Sequence, residues 1–199
     1  MPAPQLSARP KSRNDRRAAR SDLRSDLISQ LVELFGERVN FHRSERWLYG
    51  HDIASVPSLI RPLLGRTIPG AIVQPQSEAE LVRLVQLAAE HGVALTPRGK
   101  ATSGYGGAAP TRGGIVVDFF RMKQVRSIEP LDLLAGGPTV TVQPGIVWEK
   151  LDAALHAEGL ELCLYPTSYP SSTVGGWLAQ GGAGIGSYEY GYFREKSCR

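Results

Sequence analysis

Cysteine is scarce: Cys163 and Cys198 are the only two in 199 residues, too few for a disulfide framework and without the CxxC spacing of a zinc or thiol-redox site. Both read as free thiols. No uninterrupted apolar run approaches the roughly 20 residues of a transmembrane helix, and the N-terminus lacks the apolar centre of a secretion signal. The expectation is a cytoplasmic protein with no transmembrane segment. Histidine is also sparse, and His42, His51, His91 and His156 do not fall at metal-ligand spacing. No metal is expected, and His91 and His156, on predicted helices, read as solvent-facing or capping residues. Internal repeats and a GxxxxGK[ST] phosphate loop are lacking as well.

Charge of one sign is confined to one place. The net charge is +4, yet residues 1 to 24 hold seven Lys/Arg against Asp15 and Asp22, so the tail carries +5 and the remainder −1. The basic character belongs to a Pro-, Ser- and Arg-rich tail, predicted to be disordered over 1–22, and is no evidence that the folded body binds a polyanion, so no nucleic-acid partner is expected. A noncatalytic fragment whose tail contacts nucleic acid or another anionic surface is the competing reading. Its signature is salt-steep binding.

Hydrophobic content of 42% and charged content of 21% are those of a globular chain. From Ser21, Leu23, Leu27, Leu31, Leu34 and Phe35 mark one helical face, with Gly36 placed to end it. Residues 37–70 read as an irregular connecting segment. A βαβ unit follows: a strand at Ala71 to Val73, a helix opened by Ser77 and Glu80 as a capping box, and a strand at Val93 to Thr96. Leu81, Leu84, Val85 and Ala88 mark that helix's apolar face, and Gly92 its end. Further strands are predicted at Ile115 to Phe119, Thr139 to Gln143 and Leu160 to Leu164. A second helix, marked by Val147, Leu151, Ala154 and Leu155, ends at Gly159.

Glycine is what the chain has in excess. Residues 98–114 and 175–191 hold 13 of the 22 glycines in 34 positions, where ordinary usage supplies about two or three. Glycine loses entropy on folding, so such clustering answers a need for positive φ or for close approach of a ligand to the backbone. In the first stretch, PRGKATSGYGG, successive N–H groups can form a concavity for phosphate oxygens, with Arg98, Lys100, Thr102 and Ser103 adding donors. Gly104, Gly106 and Ala109 match the spacing of a dinucleotide-binding Rossmann turn. That turn must open a helix, and Pro110 and Gly113-Gly114 lead straight into a strand instead. In the second stretch, Ser168, Ser171, Ser172 and Thr173 precede Gly175-Gly176, and Trp177-Leu178-Ala179 reads as a short helical turn whose N-terminus faces an anion. Asp118, at a strand end, reads first as a turn signal. Tyr188 and Tyr190 are candidates to flank a ring or to cover packing.

PGAIVQPQSEAELVRLVQLAAEHGVALTPRGKATSGYGG, GGIVVDFFRM, TVQPGIVWEKLDAALHAEGL and YPTSYPSSTVGGWLAQGGAGIGSYEYG, in that order, resemble the FAD-binding PCMH-type domain of the vanillyl-alcohol oxidase superfamily, in its glycolate oxidase D-subunit and D-lactate dehydrogenase branch. The resemblance spans roughly residues 69–193. It implies an α+β fold, with a small βαβ subdomain followed by the start of a second mixed α+β subdomain. It also implies that both glycine loops contact FAD. Arg98, Gly99, Thr102, Ser103 and Gly104 match the first pyrophosphate loop, with Lys100 and Ala101 where many relatives have glycine. Pro166, Ser168, Thr173, Val174, Gly175 and Gly176 match the second. Gly181, Gly182, Gly184, Ser187, Tyr190 and Gly191 match the stretch near the ribityl and isoalloxazine side. Covalently flavinylated members usually carry a histidine in or beside the first loop, and here there is none, so noncovalent FAD is expected.

The expected division is a tail at 1–22, a helix and connecting segment at 23–68, and an FAD-binding domain at 69–199. That domain is expected to be incomplete at its C-terminus, since FREKSCR departs from the apolar strand relatives place there. The expected function is FAD binding within an oxidoreductase acting on a 2-hydroxy acid such as lactate or glycolate, whose substrate domain and catalytic base this sequence does not display. An electron-acceptor subunit is a further expected partner.

Overall fold

The computed structural model describes residues 23–53, 59, 67–132 and 137–193. The tail predicted over 1–22, and the last residues 194–199 with Cys198, lie outside the described residues. Helix α1 (Ser25–Phe35) buries Leu27, Leu31 and Phe35 at i, i+4 and i+8. Gly36, at φ 53°, ends it. Leu34, assigned to the same face from sequence, is exposed. The segment that reads as irregular contains two short elements: strand β1 (Val39–Asn40) and helix α2 (Arg43–Leu48). Neither is long enough to leave a periodic signature.

Strand β2 (Ala71–Val73) leads to α3 (Glu78–Glu90) and β3 (Leu95–Arg98), and the loop 99–114 leads to β4 (Ile115–Asp118). The sheet order is β1-β2-β4-β3, with β1 antiparallel to β2 and the other three parallel. Two sequence expectations shift here. The third strand begins and ends two residues later than Val93 to Thr96, so it carries Pro97 and Arg98. The fourth stops at Asp118, because the Asp118 side chain accepts a hydrogen bond from Phe120 N at 3.0 Å and turns Phe119–Arg121 into a 3₁₀ helix.

Ser77 caps α3 as expected, its hydroxyl accepting from Glu80 N at 3.2 Å. The Glu80 carboxylate, however, accepts from Gln76 N (3.0 Å) and from Arg38 rather than from Ser77 N. Of the predicted apolar face, Leu84 and Ala88 are buried while Val85 is exposed, and Leu87 takes the third buried position. Of the two roles expected for His91, capping holds, since it is the C-cap residue of α3, and solvent-facing does not. Its side chain is only 11% exposed, with Nδ1 4.0 Å from the Asp26 carboxylate of α1.

Leu27, Leu31, Phe35 and Val39 share one core with Ala71, Val73, Leu84, Leu87, Ile115 and Val117. Helix α1 therefore covers the same sheet as α3. Each leucine withdrawn from water there contributes about 1.5–3 kcal/mol.

The second unit starts with the antiparallel pair β5 (Val125–Asp132) and β6 (Gly137–Val142), followed by α4 (Trp148–Ala157), α5 (Val174–Ala179) and α6 (Ser187–Tyr190). Its core gathers Ile146, Trp148, Leu151, Leu155, Leu164, Val174 and Trp177. Trp148 and Trp177 meet edge to face at 5.1 Å, and Phe193 closes on both. The strand predicted at Leu160 to Leu164 does not form. Leu160, Leu162 and Leu164 do turn inward, but no described strand lies beside them, and Tyr165 pairs only as an isolated bridge with Ile185. Alternating burial was present without a ladder partner.

Candidate nucleotide-binding site

Parallel strands deliver their C-terminal ends to one edge of a sheet, where ligands of open α/β sheets are commonly bound. Here β2 ends before Gln74, β3 ends at Arg98 and β4 at Asp118. A cavity of about 190 Å³ opens at that edge, lined by Tyr49, Arg98, Gly99, Lys100, Asp118 and Thr173 among others. The first glycine-rich region and Thr173, just ahead of the second, thus reach the same space.

Their meeting point is tight. A Cβ placed on Gly99 would collide with Thr173 Oγ1 and lie 3.2 Å from Thr173 Cβ. Beyond Gly99, no hydrogen bond among the described residues engages the N–H groups of Lys100, Ala101, Thr102, Ser103 or Gly104. Ala101 has φ 52°, a left-handed conformation otherwise held by glycines among the described residues, which gives a physical sense to its standing where relatives have glycine. Ser103 Oγ accepts from Tyr105 N at 3.3 Å, and Gly104 borders open space. Five adjacent unengaged donors in a bent loop suit an anion. Lys100 Nζ lies 4.9 Å from the centre of the Phe120 ring, which Lys123 also approaches at 4.5 Å.

The second loop is built differently from its sequence-based expectation. Val174 N donates to Ile146 O (3.0 Å), Gly175 N to Pro144 O (2.9 Å), and Gly176 N to Thr173 Oγ1 (3.4 Å). The helix starts at Val174 rather than Trp177, and its first N–H groups are already used inside the chain. Gly175 serves close approach instead, since a Cβ there would meet Pro144 Cβ at 2.6 Å. Pro166 is buried and its carbonyl accepts from Tyr169 N, while the Ser168 carbonyl accepts from Ser171 N and Ser172 N. Ser172 Oγ is buried with no partner among the described residues.

Gly181, Gly182, Gly184, Ser187, Tyr190 and Gly191 do not line the cavity. They fold back on the second core: Phe193 N donates to Gly182 O, and Ser187 Oγ accepts from Gly184 N at 2.7 Å. Tyr188 and Tyr190 are exposed and cover no part of that core.

Sequence reasoning missed a polar cluster at the cavity wall. Asp118 is buried, and its Oδ2 accepts from Tyr49 OH (2.7 Å) and Gln74 Nε2 (2.8 Å). Arg98 donates to the carbonyl of His51 at 2.8 Å and stacks 4.7 Å from the Tyr49 ring centre. Its guanidinium is thus held by the segment before the domain. Burial, with Asp118 alongside, raises the Tyr49 phenol well above its ordinary pKa. Burial also lowers that of Arg98, opposed by Tyr49, Asp118 and Asp52. An acid after the wholly apolar run Ile115 to Val117 was the available signal, because it sits at the ligand edge of a parallel sheet.

A family model described as an FAD binding domain matches residues 69–198. The chain belongs to this FAD-binding family. Its fold is that of PCMH-type proteins of the vanillyl-alcohol oxidase superfamily. The chain is 30% identical over 171 residues to glycolate oxidase subunit GlcD of Bacillus subtilis, covering 85% of this chain and 34% of that protein. It is 34% identical over 174 residues to alkyldihydroxyacetonephosphate synthase of Dictyostelium discoideum, covering 85% of this chain and 25% of that one. A solved alkyldihydroxyacetonephosphate synthase superposes with TM-score 0.75 at 28% identity, covering 88% of this chain and 35% of the other. The chain thus spans about a third or less of the length of these relatives. Among the described residues no helix is long and apolar enough to cross a membrane.

Proposed function

We propose that Arg98, Gly99, Lys100, Ala101, Thr102, Ser103 and Gly104 hold the pyrophosphate of FAD, that Pro166, Ser168, Thr173, Val174, Gly175 and Gly176 close the site against them, and that the flavin is not covalently bound. The observation that carries this reading is the closure of Gly99 on Thr173 beside five consecutive unengaged N–H groups. A backbone cradle of that kind binds phosphate oxygens by geometry as well as charge. Lys100 stands beside it as the nearby cation, and the Arg98 guanidinium acts mainly on the loop's support. Gly181 to Gly191 would approach the ribityl side through the backbone. The proposed units are 23–68 as helix and connecting segment and 69–199 as the domain itself.

The activity proposed is oxidation of a small 2-hydroxy acid, such as lactate or glycolate, to the 2-oxo acid. Bound FAD supplies the two-electron acceptor for that chemistry, and an electron-acceptor protein would reoxidise it. The support is the similarity to glycolate oxidase subunit GlcD and to the mitochondrial D-lactate dehydrogenase [cytochrome] of Arabidopsis thaliana. Similarity to the alkyldihydroxyacetonephosphate synthase of Dictyostelium discoideum, at 34% identity against 30% for glycolate oxidase subunit GlcD, favours a second substrate class, a dihydroxyacetone phosphate derivative.

Titrating the chain with FAD and following quenching of flavin fluorescence tests the cofactor reading. Saturable quenching is expected, and an unchanged signal would refute it. Acid precipitation then separates the attachment modes: yellow supernatant over a colourless pellet is expected, and flavin retained in the pellet would overturn the noncovalent reading.

A further inference from the structure

We infer that the Leu48–Asp52 segment, which precedes the family-matched residues, forms a wall of the cofactor pocket, and that Tyr49 is a positioning residue for the first glycine loop. This inference rests on the proposed FAD site and adds a component to it. Leu48 and Tyr49 line the same cavity as Gly99 and Thr173, although the FAD-binding model begins only at residue 69. The segment is tied to the ligand edge of the sheet at two points: Tyr49 OH donates to Asp118 Oδ2 at 2.7 Å, and Arg98 Nη1 to His51 O at 2.8 Å. Just before the segment, Arg46 Nε donates to Pro69 O at 2.6 Å, ahead of the start of β2.

The arrangement is directional. Arg98 and Asp118 are register partners at the ends of β3 and β4, and Tyr49 bridges them, its ring under the guanidinium and its hydroxyl on the carboxylate. The backbone immediately after Arg98 is the proposed phosphate cradle, so whatever fixes Arg98 fixes the first residue of that cradle. Gln74 gives Asp118 a second donor and accepts from Arg121 Nε at 3.2 Å, so the ends of β2 and β4 are joined through the one carboxylate and the end of β3 through Tyr49. A purely structural strut would face the core. Tyr49 instead stands in the wall of the cavity.

Hydrogen exchange of the 199-residue chain with and without FAD separates these roles. FAD is expected to slow amide exchange in the peptide covering 48–52 together with that covering 99–104. Protection of 99–104 with no change at 48–52 would overturn the inference while leaving the cofactor reading intact. Protection at neither would overturn both. Tyr49→Ala is expected to raise the FAD dissociation constant about 10- to 100-fold, the affinity equivalent of one hydrogen bond to a charged group. Tyr49→Phe keeps the ring beneath Arg98 and is expected to fall between Tyr49→Ala and the wild type. It also keeps the test decisive if the alanine variant does not fold. Wild-type affinity in a folded Tyr49→Ala variant would refute the positioning role.

Discussion

Replacing Gly99 by alanine isolates the contact that brings the two glycine-rich loops together. Gly99 does not hold a positive φ, so the substitution is opposed by space and not by backbone conformation. The added Cβ would overlap Thr173 Oγ1 and press against Thr173 Cβ and Cγ2 at 3.2 and 3.3 Å. Inserting a methyl group into a well-packed contact costs about 1–3 kcal/mol. For a chain of this size that lowers the melting temperature by about 2–12 °C, taking roughly 2–4 °C per kcal/mol. Thr173→Ala alone removes an N-cap whose hydrogen bond to Gly176 N is long, 3.4 Å, and should cost near the low end of about 0.5–2 kcal/mol. The double variant is the informative one. With Oγ1 and Cγ2 both gone, the new Cβ meets only the Cβ of residue 173, still tight at 3.2 Å, so the two losses should fall short of additivity by about 1 kcal/mol or more. Urea unfolding of the four proteins measures this, and FAD titration of the same set reads the loop geometry directly. Losses additive within about 0.5 kcal/mol, or a Gly99→Ala variant that unfolds like the wild type, would refute the closure of the loops at this point.

Asp118→Ala leaves the Tyr49 hydroxyl, the Gln74 amide and Phe120 N without their shared acceptor; a loss of about 1–3 kcal/mol is expected in urea unfolding, the cost of one buried group left unpaired, and more if solvent reaches none of the three. Ala101→Gly should stabilise the chain by up to about 1 kcal/mol, because relief of the left-handed φ, about 1–2 kcal/mol, is partly offset by the entropy glycine adds to the unfolded chain; a destabilised variant would show that Ala101 is not left-handed in solution. The Arg38 guanidinium holds the Glu80 carboxyl below its ordinary 4.5, so the stability this ion pair adds is present above that pH and lost as pH falls through the depressed value. Glu80→Gln should therefore be less stable than wild type at neutral pH and converge on it in acid, followed as melting temperature against pH.

Much of the first unit was legible because its signals are local. Ser77 three residues before Glu80, leucines at helical spacing, and Gly36, Gly92 and Gly159 at helix ends each act within one turn of chain. The clustering of glycines pointed to two loops for the same reason: the need for unusual backbone is written at the position that has it. Leu160 to Leu164 shows the limit of that logic, since alternation reports which side chains are buried and not whether a neighbouring strand exists to pair with. The Tyr49–Asp118 hydrogen bond spans 69 residues, and nothing in either local sequence names the other. Arg98 carries the same ambiguity. A cation in a glycine-rich loop reads as a phosphate donor, and only the fold reveals that its guanidinium is committed to carbonyls of residues 49 and 51.

That commitment changes what the first loop needs from its charges. A half-buried guanidinium whose Nη1 is already committed to two backbone carbonyls has fewer donors left for a ligand, and Asp118 and Asp52 beside it offset part of its positive field. The attraction for a pyrophosphate then comes largely from the unengaged N–H groups of residues 100–104, with exposed Lys100 as the nearby cation. A backbone cradle is sensitive to shape and little affected by salt, whereas capture by side-chain cations weakens steeply as ionic strength rises. The two arrangements therefore differ in kind, and in this chain shape is set from outside the loop: by Thr173 against Gly99 on one side and by Tyr49 under Arg98 on the other. The site is accordingly a property of three distant segments meeting at one sheet edge, and the glycine-rich sequence that announces it supplies only the part that must bend.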